Sequence, residues 1–156
     1  MAEELTLRFL AEPTDVNFGG KVHGGEVMKW IDQGAYVCAT GWAKNYCVTV
    51  YVGGIRFFRP ITIGSLIEVR SRVIYTGTTS MHISVDVYSG HPKEDERCLN
   101  THCIIVFVAV DENGKPVPVP QWTPSTEEEK KLQEYAVKLM GLRKNIEDEM
   151  RPFFDH

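Results

Sequence analysis

Between residues 24 and 43 the apolar positions return every three or four residues. With Ile31 as centre and each residue turned by about 100°, Val27, Gly34, Ala35, Cys38 and Trp42 gather around it, while Glu26, Lys29, Gln33 and Thr40 collect opposite. The pattern predicts an amphipathic helix over 24–43. Met28 and Ala39 widen its apolar sector on one side and Trp30 and Val37 on the other, as expected of a helix wrapped by a sheet rather than laid on a surface. After residue 45 the period changes to two. "YCVTVYVGGI" (46–55) is rich in Val, Tyr and Thr, and "SLIEVRSRVIY" (65–75) and "MHISVDVY" (81–88) alternate as half-buried strands do. Ile67, Val69, Ser71, Val73 and Tyr75 are expected on one face, with Met81, Ile83, Val85 and Val87 as their counterpart and "TGTTS" (76–80) as the turn. A turn centred on Thr78 sets Arg70 opposite Asp86 on the outer face, a charge pair worth roughly 0.2–1 kcal/mol.

Residues 5–10 alternate weakly and predict a short strand; residues 13–21 read as loop from their Pro, Asp, Asn and Gly content. "CIIVFVAV" (103–110) is apolar without alternation, so both of its faces should be covered, one by the long helix and the other by another subunit or a second helix. "DENGK" (111–115) turns the chain and "PVPVPQ" (116–121) is an extended connector. Ser125 and Glu128 suggest a capping box for a final helix whose apolar edge is Leu132, Tyr135, Ala136, Leu139 and Met140. The order, strand, long helix, four strands and a helix, predicts an α+β architecture in which one antiparallel sheet of about five strands wraps the long helix. Residues 1–124 are expected to form the main domain, with 125–156 appended as a helix and the tail "RPFFDH".

Composition narrows the function. At 156 residues one core is expected. A net charge of −4 with 24% charged and 43% apolar residues provides no basic field, which argues against a nucleic-acid partner. No segment approaches the roughly 20 apolar residues of a membrane span, and a cytoplasmic location is expected. Cys38, Cys47, Cys98 and Cys103 show no CxxC spacing and no histidines at ligand intervals, so they are expected to be reduced, buried spectators and no metal site is expected.

The candidate chemistry lies in "NFGGKVHGGEVMKWIDQG" (17–34). A Gly-rich entry into a helix exposes backbone N–H groups that the helix cannot use, beside the positive end of its dipole. Gly24 and Gly25 would let a carbonyl oxygen approach those amides as it turns negative; a tight packing turn would use the same glycines. Asp32 falls about 100° from the stripe centre, at the margin of the apolar sector. A partly desolvated carboxylate there acts as general base or nucleophile, or reaches water. Asn17 is suited to orienting water or donating to an oxygen, or to closing an Asx-turn. His23 lines a pocket or serves as a structural donor.

The whole segment from Asn17 to Asp32, with "HGG" at the helix start and "FFRPITIGSLIEV" at 57–69, resembles the active-site region of hotdog-fold acyl-CoA thioesterases, the acyl-CoA hydrolase group that takes in YciA-like and brain-type enzymes. The similarity spans roughly residues 10–120. It implies a hotdog fold and hydrolysis of acyl-CoA thioesters to free CoA and a carboxylic acid. Asp32 would be base or nucleophile, Asn17 would position water or the thioester, and the Gly24 and Gly25 amides would polarise the carbonyl. His23, Arg59, Thr78, Thr79 and Ser80 would contact substrate. The resemblance implies no cofactor, coenzyme A being part of the substrate, and a homodimer as the minimal active unit within a trimer of dimers. Asp32 lies seven residues past Gly25, about 10 Å along a helix, so a site using both is expected to draw on two subunits. Two rivals are a non-catalytic acyl-CoA-binding sensor and a hotdog hydratase built on Asp86 and His91, five residues apart.

Overall fold

A computed structural model describes residues 3–154; Asp155 and His156 of the tail lie outside them. The elements are β1 (Glu4–Leu10), a 3-10 turn (Pro13–Asp15), α1 (Gly24–Ala43), β2 (Cys47–Phe57), β3 (Leu66–Thr76), β4 (Ser80–Gly90), β5 (Cys98–Ala109) and α2 (Glu127–Phe154). The strands form one antiparallel sheet in the order β1-β3-β4-β5-β2. β2 is therefore an edge strand although it follows α1 directly.

The helix expected over 24–43 is α1, residue for residue. Its apolar stripe, Val27, Ile31, Ala35, Cys38 and Ala39, packs on the inward positions Ile67, Val69, Ile83, Val85, Cys103, Ile105 and Phe107. Gly34 lets the helix approach: a Cβ there would stand 2.9 Å from Val69 Cγ1 and 3.1 Å from Ser71 Oγ. Lys44, in the left-handed region at φ 58, ends α1 by donating its N–H to the Thr40 carbonyl. Met28 and Val37, expected in the wrapped sector, are 44% and 50% exposed, whereas Ala39 and Trp30 of the same two flanks are buried.

The β3–β4 register sets Arg70 opposite Asp86 as expected. The pair itself does not form. Arg70 reaches along its own strand to Glu68 at 2.7 Å and stacks 4.0 Å over Tyr88, while Asp86 bonds His102. Glu68 is buried and also meets Arg8 at 3.2 Å; the Arg70 hydrogen bond holds its carboxyl below the usual range against the cost of burial. A bulge between Val73 and Tyr75 turns Tyr75 away from the inner face, so it packs edge-on against His82 beneath α2. Alternation cannot anticipate an inserted residue.

β5 is covered on both faces. Cys103, Ile105, Phe107 and Ala109 face α1, and Ile104 joins Ile74 and Ala136 under α2. The start of α2 differs by one residue from expectation: Thr126 Oγ1 accepts the Glu129 N–H at 3.1 Å, and Glu129 takes the Ser125 amide and hydroxyl. No disulfide forms among the described residues. Cys38, Cys47 and Cys103 are buried, with thiols pushed up by burial to about 12, about 11 and about 11; Cys98 is exposed, contrary to expectation. No helix among the described residues is long and apolar enough to cross a membrane.

Candidate active site

α1 starts without a side-chain cap. His23 is extended (φ −60, ψ 137), and its carbonyl accepts the amides of Glu26 at 3.0 Å and Val27 at 3.2 Å. The Gly24 and Gly25 amides, in the first turn, have no acceptor within the helix, and the dipole adds positive character beside them. His23, Gly24 and Gly25 are all exposed. A Cβ on Gly25 would meet nothing within 4 Å, and one on Gly24 only the Phe57 ring at 3.8 Å. Packing within the protomer thus does not require glycine at either position; what the pair leaves open is approach from outside the chain.

Asn17 lies in the loop before α1. Its Oδ1 accepts the amides of Gly19 at 2.9 Å and Lys21 at 3.1 Å, so the Asx-type loop named above does form. The carbonyl oxygen is committed to that loop, and the Nδ2 hydrogens are the part of the side chain left for another partner.

Asp32 is exposed in the protomer, not desolvated. Its place at the margin of the stripe is as expected, but that margin faces β2, and among the described residues no strand lies beyond β2 to cover it. The Thr49 hydroxyl donates to Asp32 Oδ1 at 3.2 Å. Around the carboxylate, Met28 one turn earlier on α1 is 44% exposed and Val52 on the inner face of β2 is 41% exposed. The flank is therefore an uncovered apolar strip with one acid. Thr49 is a functional candidate that sequence reasoning missed. The only signal was a threonine among the valines of "CVTVYV", and its meaning depends on β2 folding back beside the middle of α1.

Arg59 is exposed on the β2–β3 connection. Asn100, fully buried, holds that connection: its Nδ2 donates to the Arg59 carbonyl at 3.2 Å and the Pro60 carbonyl at 3.4 Å, and its own carbonyl accepts the Phe58 amide at 2.7 Å. Between the connection and the start of α1 lies a cavity of about 350 Å³ lined by Val22, Gly24, Val27, Phe57, Arg59 and Ile61. The fold thus brings Gly24 and Arg59 to one cavity. It does not bring Thr78, Thr79 and Ser80 there. Their turn pairs with the far end of β5 (Ser80 with Val108), next to the start of β2 and the end of α1. The Thr78 and Thr79 carbonyls accept the amides of Val119 and Ala109.

On the outer face, away from α1, His102 Nδ1 lies 2.7 Å from Asp86 and Nε2 lies 2.8 Å from the Tyr135 hydroxyl of α2. Asp86 is thereby engaged by His102, and the exposed His91 accepts the Lys93 amide in its own loop, which gives the hydratase alternative no support. His82, beside this cluster, is 5% exposed; burial, with Arg143 nearby, lowers its pKa to about 4. Among the described residues, no group of three or more His, Cys, Asp or Glu side chains is placed to hold a metal ion.

Residues 19–96 match the thioesterase superfamily. The chain belongs to that family. The five-stranded antiparallel sheet around α1 is the hotdog fold of these enzymes. Among thioesterase relatives, the Bacillus subtilis protein YkhA, described as an uncharacterized acyl-CoA thioester hydrolase, is 38% identical over 133 residues, covering 85% of this chain and 77% of its own. The Salmonella typhimurium acyl-CoA thioester hydrolase YciA is 37% identical over 120 residues, 75% of this chain and 90% of its own. A hexameric acyl-CoA thioesterase, solved without ligand, superposes with a TM-score of 0.87 at 38% identity over 92% of each chain. The acyl-CoA hydrolase of Staphylococcus aureus, solved with butyryl coenzyme A, coenzyme A and coenzyme A disulfide, gives 0.90 at 27% identity over 98% of this chain and 93% of its own. Three further structures of the Staphylococcus enzyme carry alanine in place of an asparagine, an aspartate fifteen residues later and a threonine seventeen residues after that. Asn17, Asp32 and Thr49 stand at those same intervals.

Proposed function

We propose that this protein hydrolyses acyl-CoA thioesters, releasing free CoA and a carboxylic acid, at a site shared by two protomers. The carrying observation is the bond from Thr49 to Asp32 on an uncovered flank, joined to the coincidence of Asn17, Asp32 and Thr49 with the three substituted positions of the Staphylococcus enzyme. In this reading Asp32, oriented by Thr49, acts as general base on water or attacks the thioester carbonyl directly. The Gly24 and Gly25 amides receive the negative charge that develops on the carbonyl oxygen. Asn17, through Nδ2, positions water or the thioester. Collapse of the tetrahedral carbon breaks the C–S bond and releases the CoA thiolate; in the direct-attack route the acyl–Asp32 anhydride so formed is then cleaved by water, which gives the carboxylic acid and restores the carboxylate.

The edge position of β2 supports the shared site. A two-fold pairing of β2 with its copy is antiparallel, and it satisfies the row of backbone groups that an edge strand otherwise offers to solvent. Such pairing covers Asp32, Met28 and Val52. It also carries the partner's Thr78–Ser80 turn toward this protomer's Gly24 end, uniting the groups that one chain holds at opposite ends. Arg59 at the cavity mouth and the partner's turn then serve the phosphate and pantetheine parts of the substrate, with His23 at the pocket rim. Three such pairs would make six protomers, the number in the hexameric relatives.

The test is free-thiol release from a panel of acyl-CoAs by wild type and Asp32→Asn. A drop of about 100-fold or more is expected for loss of a general base; equal rates would remove Asp32 from the mechanism. Binding without release in the wild type would replace the hydrolase with an acyl-CoA sensor. Mixing Asn17→Ala and Asp32→Ala proteins should restore part of the activity, and mixed dimers as inactive as either parent would exclude the shared site.

A further inference from the structure

Near its start β5 carries one residue more than β4 can pair. Val87 lies opposite Thr101 and Tyr88 opposite Leu99, so Asn100 is the extra residue of a bulge. Bulges re-aim side chains, and this one leaves an amide in the interior, where Asn100 is fully buried. Two N–H donors and a carbonyl acceptor must then be satisfied away from water. All three are. The Ser89 hydroxyl of β4 donates to Oδ1, and Nδ2 donates to the carbonyls of Arg59 at 3.2 Å and Pro60 at 3.4 Å. The backbone carbonyl of Asn100 accepts the Phe58 amide at 2.7 Å.

These bonds grip three successive residues, 58–60, of the β2–β3 connection. On its other side the Ile61 carbonyl accepts the Val22 amide at 3.0 Å and Thr62 bridges to Lys21, just before α1. The connection is thus strung between β5 and the loop that carries Asn17, with Arg59 lining the cavity it shares with Gly24. Its own backbone offers few handles. Pro60 has no N–H, and it confines Arg59 before it to extended backbone. Arg59 and Pro60 are exposed residues, and a connection swung outward would find water for both carbonyls. The Asn100 bonds therefore do more than satisfy backbone groups. They select one orientation of the Arg59 and Pro60 peptides, and a fully satisfied buried network holds such an orientation firmly.

We infer that Asn100 is a positioning residue for coenzyme A recognition: by holding the Arg59 and Pro60 carbonyls it aims the Arg59 guanidinium at the phosphates of the substrate. Ser89 fixes which way the Asn100 amide faces, since its hydroxyl marks the oxygen and leaves Nδ2 toward the connection. The inference rests on the proposed hydrolysis of acyl-CoA with Arg59 meeting the nucleotide end. That end is remote from the bond that breaks, and Asn100 touches none of Asp32, Thr49 or the Gly24 amide. Its loss therefore weakens ground state and transition state alike, which raises KM and leaves kcat in place.

The experiment measures thiol release and calorimetric binding of CoA for wild type, Asn100→Ala, Ser89→Ala, Arg59→Ala and Asn100→Ala/Arg59→Ala, with thermal unfolding on each. Two substrates are compared, an acyl-CoA and the same acyl group on pantetheine, which keeps the thioester and lacks the nucleotide. Asn100→Ala should raise KM for the acyl-CoA, and Kd for CoA, by about fivefold or more. It should leave kcat and the KM for the pantetheine ester within about twofold, and add less than about twofold to KM once Arg59 is alanine. Ser89→Ala, at a half-buried position, should shift KM the same way by about two- to fourfold. A folded Asn100→Ala with wild-type KM overturns the inference. So does an equal rise for both esters, a fall in kcat at constant KM, or a full further rise on top of Arg59→Ala. Where Asn100→Ala does not fold, Ser89→Ala decides, and an unchanged KM there overturns the inference too. The hydrolase fails separately. A wild type that binds CoA, more weakly as Asn100→Ala, yet releases no thiol leaves Asn100 in its role and removes the hydrolase; a wild type that binds no CoA overturns the inference.

Discussion

Replacing Thr49 with valine keeps the shape of the side chain and deletes one donor. That donor lies 3.2 Å from Asp32 Oδ1, and a hydrogen bond to a charged group contributes about 1.5–3 kcal/mol. If the bond holds Asp32 in its reactive orientation, its full value appears in the barrier, and with tenfold in rate per 1.36 kcal/mol kcat falls by about 10- to 150-fold. KM should stay within about twofold if the hydroxyl serves Asp32, as proposed, and does not bind substrate. The fold should be unaffected: Thr49 is exposed at an edge strand, where valine is at least as favourable. Thr49→Ser supplies the same hydroxyl and should recover most of the rate. The assay is steady-state release of free CoA thiol, with thermal unfolding as control. A Thr49→Val enzyme with wild-type kcat, or Ser and Val variants equally slow at unchanged stability, would show that the hydroxyl does not serve Asp32.

Two further outcomes follow from packing and titration. Gly34→Ala places a Cβ 2.9 Å from Val69 Cγ1; overpacking costs about 1–3 kcal/mol against about 1 kcal/mol gained in helix propensity. The unfolding midpoint should drop by a few degrees, and a rise would mean that α1 does not approach β3 this closely. His82, held neutral down to about 4, binds its proton less readily folded than unfolded. Stability therefore rises with pH across this window: it is lost progressively as pH falls from about 6.5 toward 4, by about 3 kcal/mol at the low end. Urea unfolding of His82→Gln should show a shallower loss over that range than wild type, and parallel curves would refute the burial of the ring.

Local signals carried the elements. The 3.6 period of "VMKWIDQGAYVCATGW" and the period of two in "SLIEVRSRVIY" are properties of neighbouring residues, and they sufficed for α1, for the β3–β4 hairpin and for its register at Arg70 and Asp86. The glycine pair before a helix, followed by an acid on its margin, was likewise legible, since helix ends and helix faces are read along the chain. Chemistry that depends on distant segments was not. Nothing local says that β2 leaves α1 to become an edge, which is why Asp32 is uncovered and why Thr49, seventeen residues on, is its partner. Nor does any local pattern say that Thr78–Ser80 and Gly24 stand at opposite ends of one sheet. Secondary structure follows from propensity and period within a few turns of chain, whereas strand order, the inserted residue of a bulge and the covering of a face are set by which surfaces the whole chain can bury together; those only the tertiary structure decided.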